Sequence, residues 1–384
     1  MTAERPALER RVLAAIDASP RRIPVLLGGC GSGRTSLLLR LRDAIGRTSA
    51  QYIDLERVST TPERLLRAIR EYSPFPAPPV APAAQSGGAR TAFDATLAFL
   101  DAARAPGGGP ATFLLDEALE LRTFESFPGL RSVLRDLVAA LASSSNRFVL
   151  TARYVARAHR LLRDAPPQFE VVHVPALAPQ EVAAALPPAA TGVAPGDRDE
   201  VARAIHALGD GRPTYVRALA DATAAMGLRG IADPVSALSA IIAPGGGLAD
   251  TCRYSYELRL HRARGYGALK AILEVLAEEE PLTLTEIAQR LRRTPGSTKD
   301  YLSWLEDVDL VTSRQKRYSY TDPLLRLWVR LHCRPAPPSE DDVAREVHHY
   351  ALVRLPQQRP SGAPQPEPLM AMAGVPDHGL IEID

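Results

Sequence analysis

The stretch Ile23-Pro24-Val25-Leu26-Leu27-Gly28-Gly29-Cys30-Gly31-Ser32-Gly33-Arg34-Thr35 sets the reading of the whole chain. Its first five residues are apolar and suit a strand buried on both faces. Four glycines then interrupt it, and leucines at 37, 38, 39 and 41 read as a helix packed on a sheet. A strand, a Gly-rich turn and a helix in this order are the setting of a phosphate-binding loop, whose spacing runs here from Gly28 to Thr35. Glycines let backbone N–H groups turn toward phosphate, the helix N-terminus adds its positive end, and the Thr35 hydroxyl suits Mg2+. The same glycines also suit a tight turn with no ligand. Arg34 stands where the motif has lysine, and its planar fork is larger and differently aimed than an ammonium. The exchange favours retention of nucleotide binding over retention of hydrolysis.

Working outward, Leu8, Val12, Leu13 and Ile16 have helical spacing ahead of the first strand. Further strands are expected over 52–55, 112–115, 148–151 and 169–174, with helices over 62–72, 92–103 and 130–141. Alternating strands and helices imply right-handed crossovers and a mostly parallel sheet, an α/β core. Residues 73–90 (SPFPAPPVAPAAQSGGAR) are too rich in Pro, Ala and Gly for a regular element and read as a surface insertion. Beyond Pro175 the strand signals stop, and 180–186, 198–208, 214–226 and 234–242 read as the helices of a lid. Helices over 268–278, 284–291 and 297–308 and a hairpin over 310–321 describe a winged helix-turn-helix. The expected organisation is a core over 1–177, a lid over 178–264, a winged helix over 265–334 and a tail over 335–384. Within the tail a candidate helix spans 341–355, and residues 356–384 are expected to be disordered.

At 384 residues the chain exceeds the usual ~100–200 residues of one core, which agrees with several domains. A formal net charge of +2 gives no global case for nucleic acid or membrane, so any such case must be local. The positive charge is almost all arginine, the lysines being Lys270, Lys299 and Lys316. Cys30, Cys252 and Cys333 are odd in number and far apart, arguing against a disulfide framework or a zinc site and for a reducing cytoplasm. No run approaches the ~20 apolar residues of a membrane span.

Thr112-Phe113-Leu114-Leu115-Asp116-Glu117 is an apolar strand ending in two acids. The first suits a metal shell and the second suits polarising a water for attack on phosphate, though such acids also cap turns. Thr151 and Arg153 follow the next strand, at the edge where parallel sheets bind ligands, although a solvated turn fits nearly as well. In Gly209-Asp210-Gly211-Arg212-Pro213-Thr214, Arg212 and Pro213 stand where a lid reaches back to nucleotide, or where a plain loop ends a helix. The candidate catalytic residues are Glu117, Asp116, Arg34 and Thr151, and the metal ligands Thr35 and Asp116. Nucleotide contacts fall to Gly28, Gly29, Cys30, Gly31, Ser32, Gly33, Arg34, Thr35, Ser36, Arg212 and Pro213. The ligands so implied are ATP and Mg2+.

With these residues in place the sequence resembles the archaeal-type P-loop ATPases, a group related to the STAND signalling NTPases and the AAA+ initiator proteins. Gly28 to Thr35 is similar to their phosphate loop except at Arg34, and Leu114 to Glu117 looks like their second motif. Val149 to Arg153 and Gly211-Arg212-Pro213 are similar to their sensor strand and lid step. Tyr318-Ser319-Tyr320-Thr321-Asp322-Pro323-Leu324-Leu325-Arg326-Leu327-Trp328-Val329 looks like the segment closing their winged helix. The resemblance implies an ATP-driven switch, with nucleotide between core and lid and the winged helix relaying its state to a partner.

Thr283 and Glu286 form a capping-box pattern for the second helix of that unit, and Ser297 with Asp300 resembles one for the third. The third helix would be the recognition helix, offering Thr298, Lys299, Tyr301 and Ser303. Residues 281–334 carry ten Lys/Arg against six Asp/Glu, a modest local excess, with Arg314, Lys316 and Arg317 on the expected wing. The partner candidates are duplex DNA through 283–334, another protein packed on the same face, or a second copy of the chain. Trp304 and Trp328 sit at apolar helical spacing and read as core.

Overall fold

The computed structural model describes residues 5–76, 88–187, 190, 195–229, 232–261 and 265–355. β1 (Ile23–Leu27) is buried at all five positions, as an all-apolar strand must be when helices cover both faces of its sheet. Its partners are β2 (Ala50–Asp54), β3 (Thr112–Asp116), β4 (Arg147–Ala152) and β5 (Phe169–His173), all parallel, in the order β2-β3-β4-β1-β5. Leu27 lies beside Ala152 on one side and His173 on the other, so the carboxyl ends of β1, β4 and β5 meet at one edge. There the strand order reverses around β1, which opens the crevice that such sheets use for ligands.

Side chains alternate between the two faces. Leu26, Leu114 and Val149 pack against the helices Pro6–Ile16 and Arg34–Ile45. Phe113, Leu115, Phe148 and Leu150 pack against Pro62–Glu71, Gly88–Ala102 and Val133–Ser143. Phe113 anchors that second layer, stacked on Phe148 at 5.7 Å and meeting Phe75 edge-on at 5.3 Å. The burial of Phe75 corrects the reading of 73–90 as wholly surface, and the following helix already starts at Gly88. Residues 77–87 of that segment lie outside the described residues. Three further elements of the core went unread in the sequence, the helix Leu55–Val58, a 3-10 segment over Ala118–Ser126 and the helix Val155–Leu162. All three follow strand ends closely and are too short to show a periodic pattern.

The next helices, Pro179–Ala185, Pro195–Leu208, Pro213–Gly227 and Pro234–Ile242, each begin with proline, whose missing N–H is harmless in the first turn. A fifth, Gly247–His261, follows a Pro-Gly run that reads as a break. The C-terminal unit has helices Tyr266–Glu278, Leu284–Arg290 and Pro295–Asp307. With them goes a three-stranded antiparallel sheet of β6 (Leu282–Thr283), β7 (Val311–Arg314) and β8 (Arg317–Tyr320), in the order β6-β8-β7. Gln315 and Lys316 turn the β7–β8 hairpin with φ of 51° and 63°, the left-handed pair that a two-residue turn requires.

Thr283 and Glu286 cap the helix Leu284–Arg290 reciprocally. The following helix starts earlier than its pattern suggests, with Thr294 rather than Ser297 as its cap. Thr298 consequently points inward, fully buried, and donates to Thr294 O at 3.0 Å, so it is not a surface contact. One apolar core runs without a break from Leu177 through Tyr215 and Cys252 to Trp328 and Ala351.

The candidate helix over 341–355 is present, shifted by one residue at each end. The helix Glu340–Arg354, capped by Ser339, packs on that core, and Tyr350 donates to Leu208 O at 2.8 Å. Residues 356–384 lie outside the described residues. Among the described residues no single helix is long and apolar enough to cross a membrane.

Candidate functional site

The loop after β1 takes the form its glycines permit. Gly31 and Gly33 have φ of 78° and 84°, and Gly33 caps the helix Arg34–Ile45 in a conformation that a side chain would strain. Arg34 is buried and folds back over the loop: Nη1 donates to Gly29 O at 2.7 Å and to Ser32 Oγ at 3.1 Å. Its other arm, Nη2, donates to Glu117 Oε1 at 2.6 Å. Only a fork reaches both at once, which is where arginine departs from the expected lysine. Ser36 is exposed on the first helical turn.

The two acids after β3 have different surroundings. Thr35 Oγ1 donates to Asp116 Oδ2 at 2.7 Å, Tyr52 OH donates to the same oxygen at 2.8 Å, and Thr151 Oγ1 donates to Oδ1. Glu117 sits in a left-handed backbone conformation, φ 57° and ψ 52°, which turns its side chain back over the carboxyl edge of the sheet. There it meets Arg34 and also Arg153, whose backbone N–H donates to Oε2 at 3.1 Å and whose guanidinium ion-pairs with it. Burial pushes the Glu117 carboxyl up, but Arg34 and then Arg153 pull it below the ordinary carboxylate range. Arg153 in turn also pairs with Glu56.

Thr151 departs from its expected role. It is fully buried, accepts from Glu117 N at 2.9 Å while donating to Asp116, and so ties the two acids to β4 instead of facing the loop. The sequence reading missed Tyr52, in the middle of β2, and Glu56, in the short helix Leu55–Val58 that follows it, neither of which belongs to a motif.

Arg212 and Pro213 do return to the loop. Pro213 lies against Gly33, Thr214 N donates to Gly31 O at 3.2 Å, and Arg212 Nη1 reaches Cys30 O at 3.5 Å. Arg212 also binds the C-terminal unit, donating to Thr321 O at 2.8 Å and pairing with Asp322 at 3.3 Å. Asp322 has no exposure, accepts from Tyr215 OH at 2.7 Å, and caps the helix Pro323–His332 through Leu324 N and Leu325 N. Cys30 lies close to Arg259 and Arg153; burial pushes its thiol up, yet these two arginines bring it below the ordinary value.

A cleft of about 510 Å³ opens beside the loop, a size suited to a small molecule. Gly29 and Ser32 form one wall, Val174 to Ala176 a second, Arg212 and Pro213 a third, and Asp309, Thr312, Ser313 and Thr321 the last. Thr35 and Asp116 present hydroxyl and carboxylate oxygens 2.7 Å apart, hard donors of the kind Mg2+ takes.

No protein-family model matches the chain, and no curated protein matches it. Among solved structures, the chain is similar to the Walker-type ATPase PABY2304 of Pyrococcus abyssi, with a TM-score of 0.60 and 17% identity over 86% of this chain and 96% of that one. The Orc1 protein of Aeropyrum pernix, solved in complex with DNA, aligns at a TM-score of 0.45 and 15% identity over 91% and 93%. The RuvB Holliday junction branch migration motor of Thermotoga maritima aligns at 0.44 and 12% over 83% and 92%. The fold is that of the P-loop ATPases: a five-stranded parallel sheet with a phosphate loop after β1 and a paired acid at the end of β3.

Proposed function

We propose that the chain binds ATP with Mg2+ in the cleft beside Gly28 to Thr35 and acts as a nucleotide-dependent switch with restrained turnover. The observation that carries this reading is the direct meeting of Thr35 and Asp116, 2.7 Å apart, at the mouth of a glycine loop whose next helix supplies its N-terminus. Thr35 and Asp116 would hold the metal, which when bound neutralises phosphate charge. Glu117 has the position to polarise a water, but Arg34 and Arg153 hold its carboxylate in ion pairs. Turnover therefore needs Arg34 to leave Glu117 for phosphate.

In this reading the helices between Pro179 and His261 are a lid, brought to the loop by Arg212, and the C-terminal unit is a winged helix-turn-helix. Thr312, Ser313 and Thr321 line the cleft, so nucleotide bound there would touch both units and bias their position. The assignment to the archaeal-type ATPases, related to AAA+ and STAND proteins, belongs to the same proposal.

Duplex DNA is the partner that the charge pattern favours. Arg292, Arg293, Lys299, Arg314 and Lys316 are exposed at the start of the helix Pro295–Asp307 and at the hairpin turn. Arg290 and Arg317 are instead paired with Glu279 and Glu286, which leaves the other five for phosphate contacts.

ATP binding and hydrolysis by the wild type beside Glu117→Gln, each with and without duplex DNA, test the proposal. Binding by both with turnover by the wild type alone supports a switch ATPase. Binding by both with no turnover identifies a nucleotide-gated scaffold, and absence of binding in both sinks the proposal. Stimulation by DNA would join the two ends of the chain, whereas indifference to DNA points to a protein partner.

A further inference from the structure

A second cavity, of about 710 Å³, lies away from the loop at the seam between the core and the C-terminal unit. The 3-10 segment Ala118–Ser126 forms its floor, the helix Val155–Leu162 one wall and Trp304 with Asp307 the other. Its centrepiece is Arg157. The guanidinium carbon lies over two aromatic rings, 5.0 Å from the centroid of Tyr154 and 4.9 Å from that of Trp304. Contact through its face leaves the in-plane edge of the ion to be satisfied by oxygen.

Among the described residues no oxygen satisfies that edge. Arg157 Nε and Nη2 are buried without a hydrogen-bond partner, and Trp304 Nε1 beside them is buried and unpartnered as well. Of the three acids in the lining, Asp307 pairs with Arg160 at 2.7 Å, Glu125 pairs with Arg122 at 3.3 Å, and Glu120 is buried on the 3-10 segment. Burial, and then Arg122, lower the affinity of Arg157 for its proton, as a cation short of counter-charge requires. Buried donors left unmade cost more than a made hydrogen bond returns, so the cluster as it stands is missing an acceptor.

We infer that this cavity is a binding site for a small anion, a carboxylate or phosphate carried on an apolar body, with Arg157 as its receptor. The Nε and Nη2 edge is the side-on fork that takes two oxygens of one acid. Because that edge is buried, binding requires the Arg157 stem to move so that the fork faces the cavity. Leu119, Leu134 and Leu161 supply apolar lining for the body of the ligand. Because the site joins the core to the helix Pro295–Asp307, its occupant would brace the same unit that closes the nucleotide cleft.

The chain has two tryptophans, so Trp328→Phe leaves Trp304 as the only one and makes its emission a local probe. Phenyl phosphate and benzoate, which share a ring and differ in their acid, are titrated separately, with inorganic phosphate as the acid alone. Phenyl phosphate or benzoate is expected to saturate the Trp304 signal with a dissociation constant of about 1 mM or lower, and Arg157→Gln to weaken it at least about tenfold. Thr35→Ala should leave the titration unchanged, which separates this site from the nucleotide cleft. Absence of saturation, an unchanged titration in Arg157→Gln, or its loss in Thr35→Ala would each overturn the inference. Should Arg157→Gln fail to fold, Arg157→Lys decides, since it keeps the charge and removes the fork. Its melting temperature should then rise less with added phenyl phosphate than that of the wild type, and an equal rise refutes the assignment.

Discussion

Arg34 Nη2 lies 2.6 Å from Glu117 Oε1, with both side chains less than a tenth exposed, so the loop's cation and the acid beside the sheet neutralise each other. In the proposed reading, an ion of the phosphate loop is thereby committed to the residue that would activate water. The pair persists because one arm of the same guanidinium is held by Gly29 O and Ser32 Oγ, which fixes the other over Glu117. A lysine has one charged end and cannot do both.

Arg34→Lys is therefore expected to release Glu117 and raise hydrolysis. Removal of one of two cations from the carboxylate should increase the single-turnover rate by about tenfold or more, equivalent to ~1.4 kcal/mol of barrier. Binding of ATP measured in parallel should change less than the rate. A variant no faster than the wild type would show that Arg34 does not restrain Glu117.

Thr151 offers a test of the clasp behind the two acids. Thr151→Val keeps the shape but removes the donor to Asp116 and the acceptor for Glu117 N. With both groups buried, the loss should be about 1–3 kcal/mol in urea unfolding. Thr112→Val is the internal control, because the Thr112 hydroxyl is buried at the start of β3 with no partner. That substitution should be neutral or stabilising. Equal effects of the two would mean that the Thr151 hydrogen bonds contribute nothing.

Asp322 joins three elements, pairing with Arg212, accepting from Tyr215 and capping the helix Pro323–His332. Asp322→Asn preserves a capping oxygen but removes the charge that holds Arg212. With one partner of a buried pair neutralised, destabilisation of about 3–5 kcal/mol is expected. Hydrogen exchange should quicken first in β8 and around Gly209 to Thr214, the two sides of the lost contact. Uniform exchange across the molecule would argue against a clasp between these units.

The parts of this site that were legible in the sequence are those whose chemistry depends on local order. Gly28 to Thr35 and the strand ending in Asp116-Glu117 announce themselves because a glycine turn and an apolar strand have patterns of their own. Arg212 was legible as a proline-started helix entry, but its partner Asp322 lies 110 residues further on and only the fold brings them together. Tyr52, Glu56 and Asp309 gain their roles from strand order and packing, which leave no trace in spacing. Thr151 shows the opposite failure, since a polar residue at a strand end reads as a ligand contact until its burial is known. The three-residue offset at Thr294 has a similar origin: either of two Ser/Thr positions could cap the helix, and packing of Thr298 selects the first.

Asp309 makes the seam sensitive to pH. It sits just beyond the helix Pro295–Asp307 with φ of 52°, and its carboxylate accepts from Val155 N at 2.6 Å across to the core. Burial pushes its carboxyl up to about 6, against which the Val155 hydrogen bond and Arg259 only partly act. A carboxyl raised in the folded state favours folding while it is protonated. Its contribution is fully present below the ordinary aspartate value near ~4 and is lost as pH rises through about 6. Asp309→Asn mimics the protonated form, keeps the acceptor for Val155 and suits the left-handed backbone. It should stabilise the protein by on the order of 1–2 kcal/mol at neutral pH, a value reduced for partial exposure, with the advantage vanishing below about pH 4. Thermal unfolding of both proteins across this range measures the gap. A difference that stays constant with pH would show that folding leaves the Asp309 carboxyl unshifted, and a variant less stable than the wild type at neutral pH would show that Arg259 and Arg157 hold it as a carboxylate.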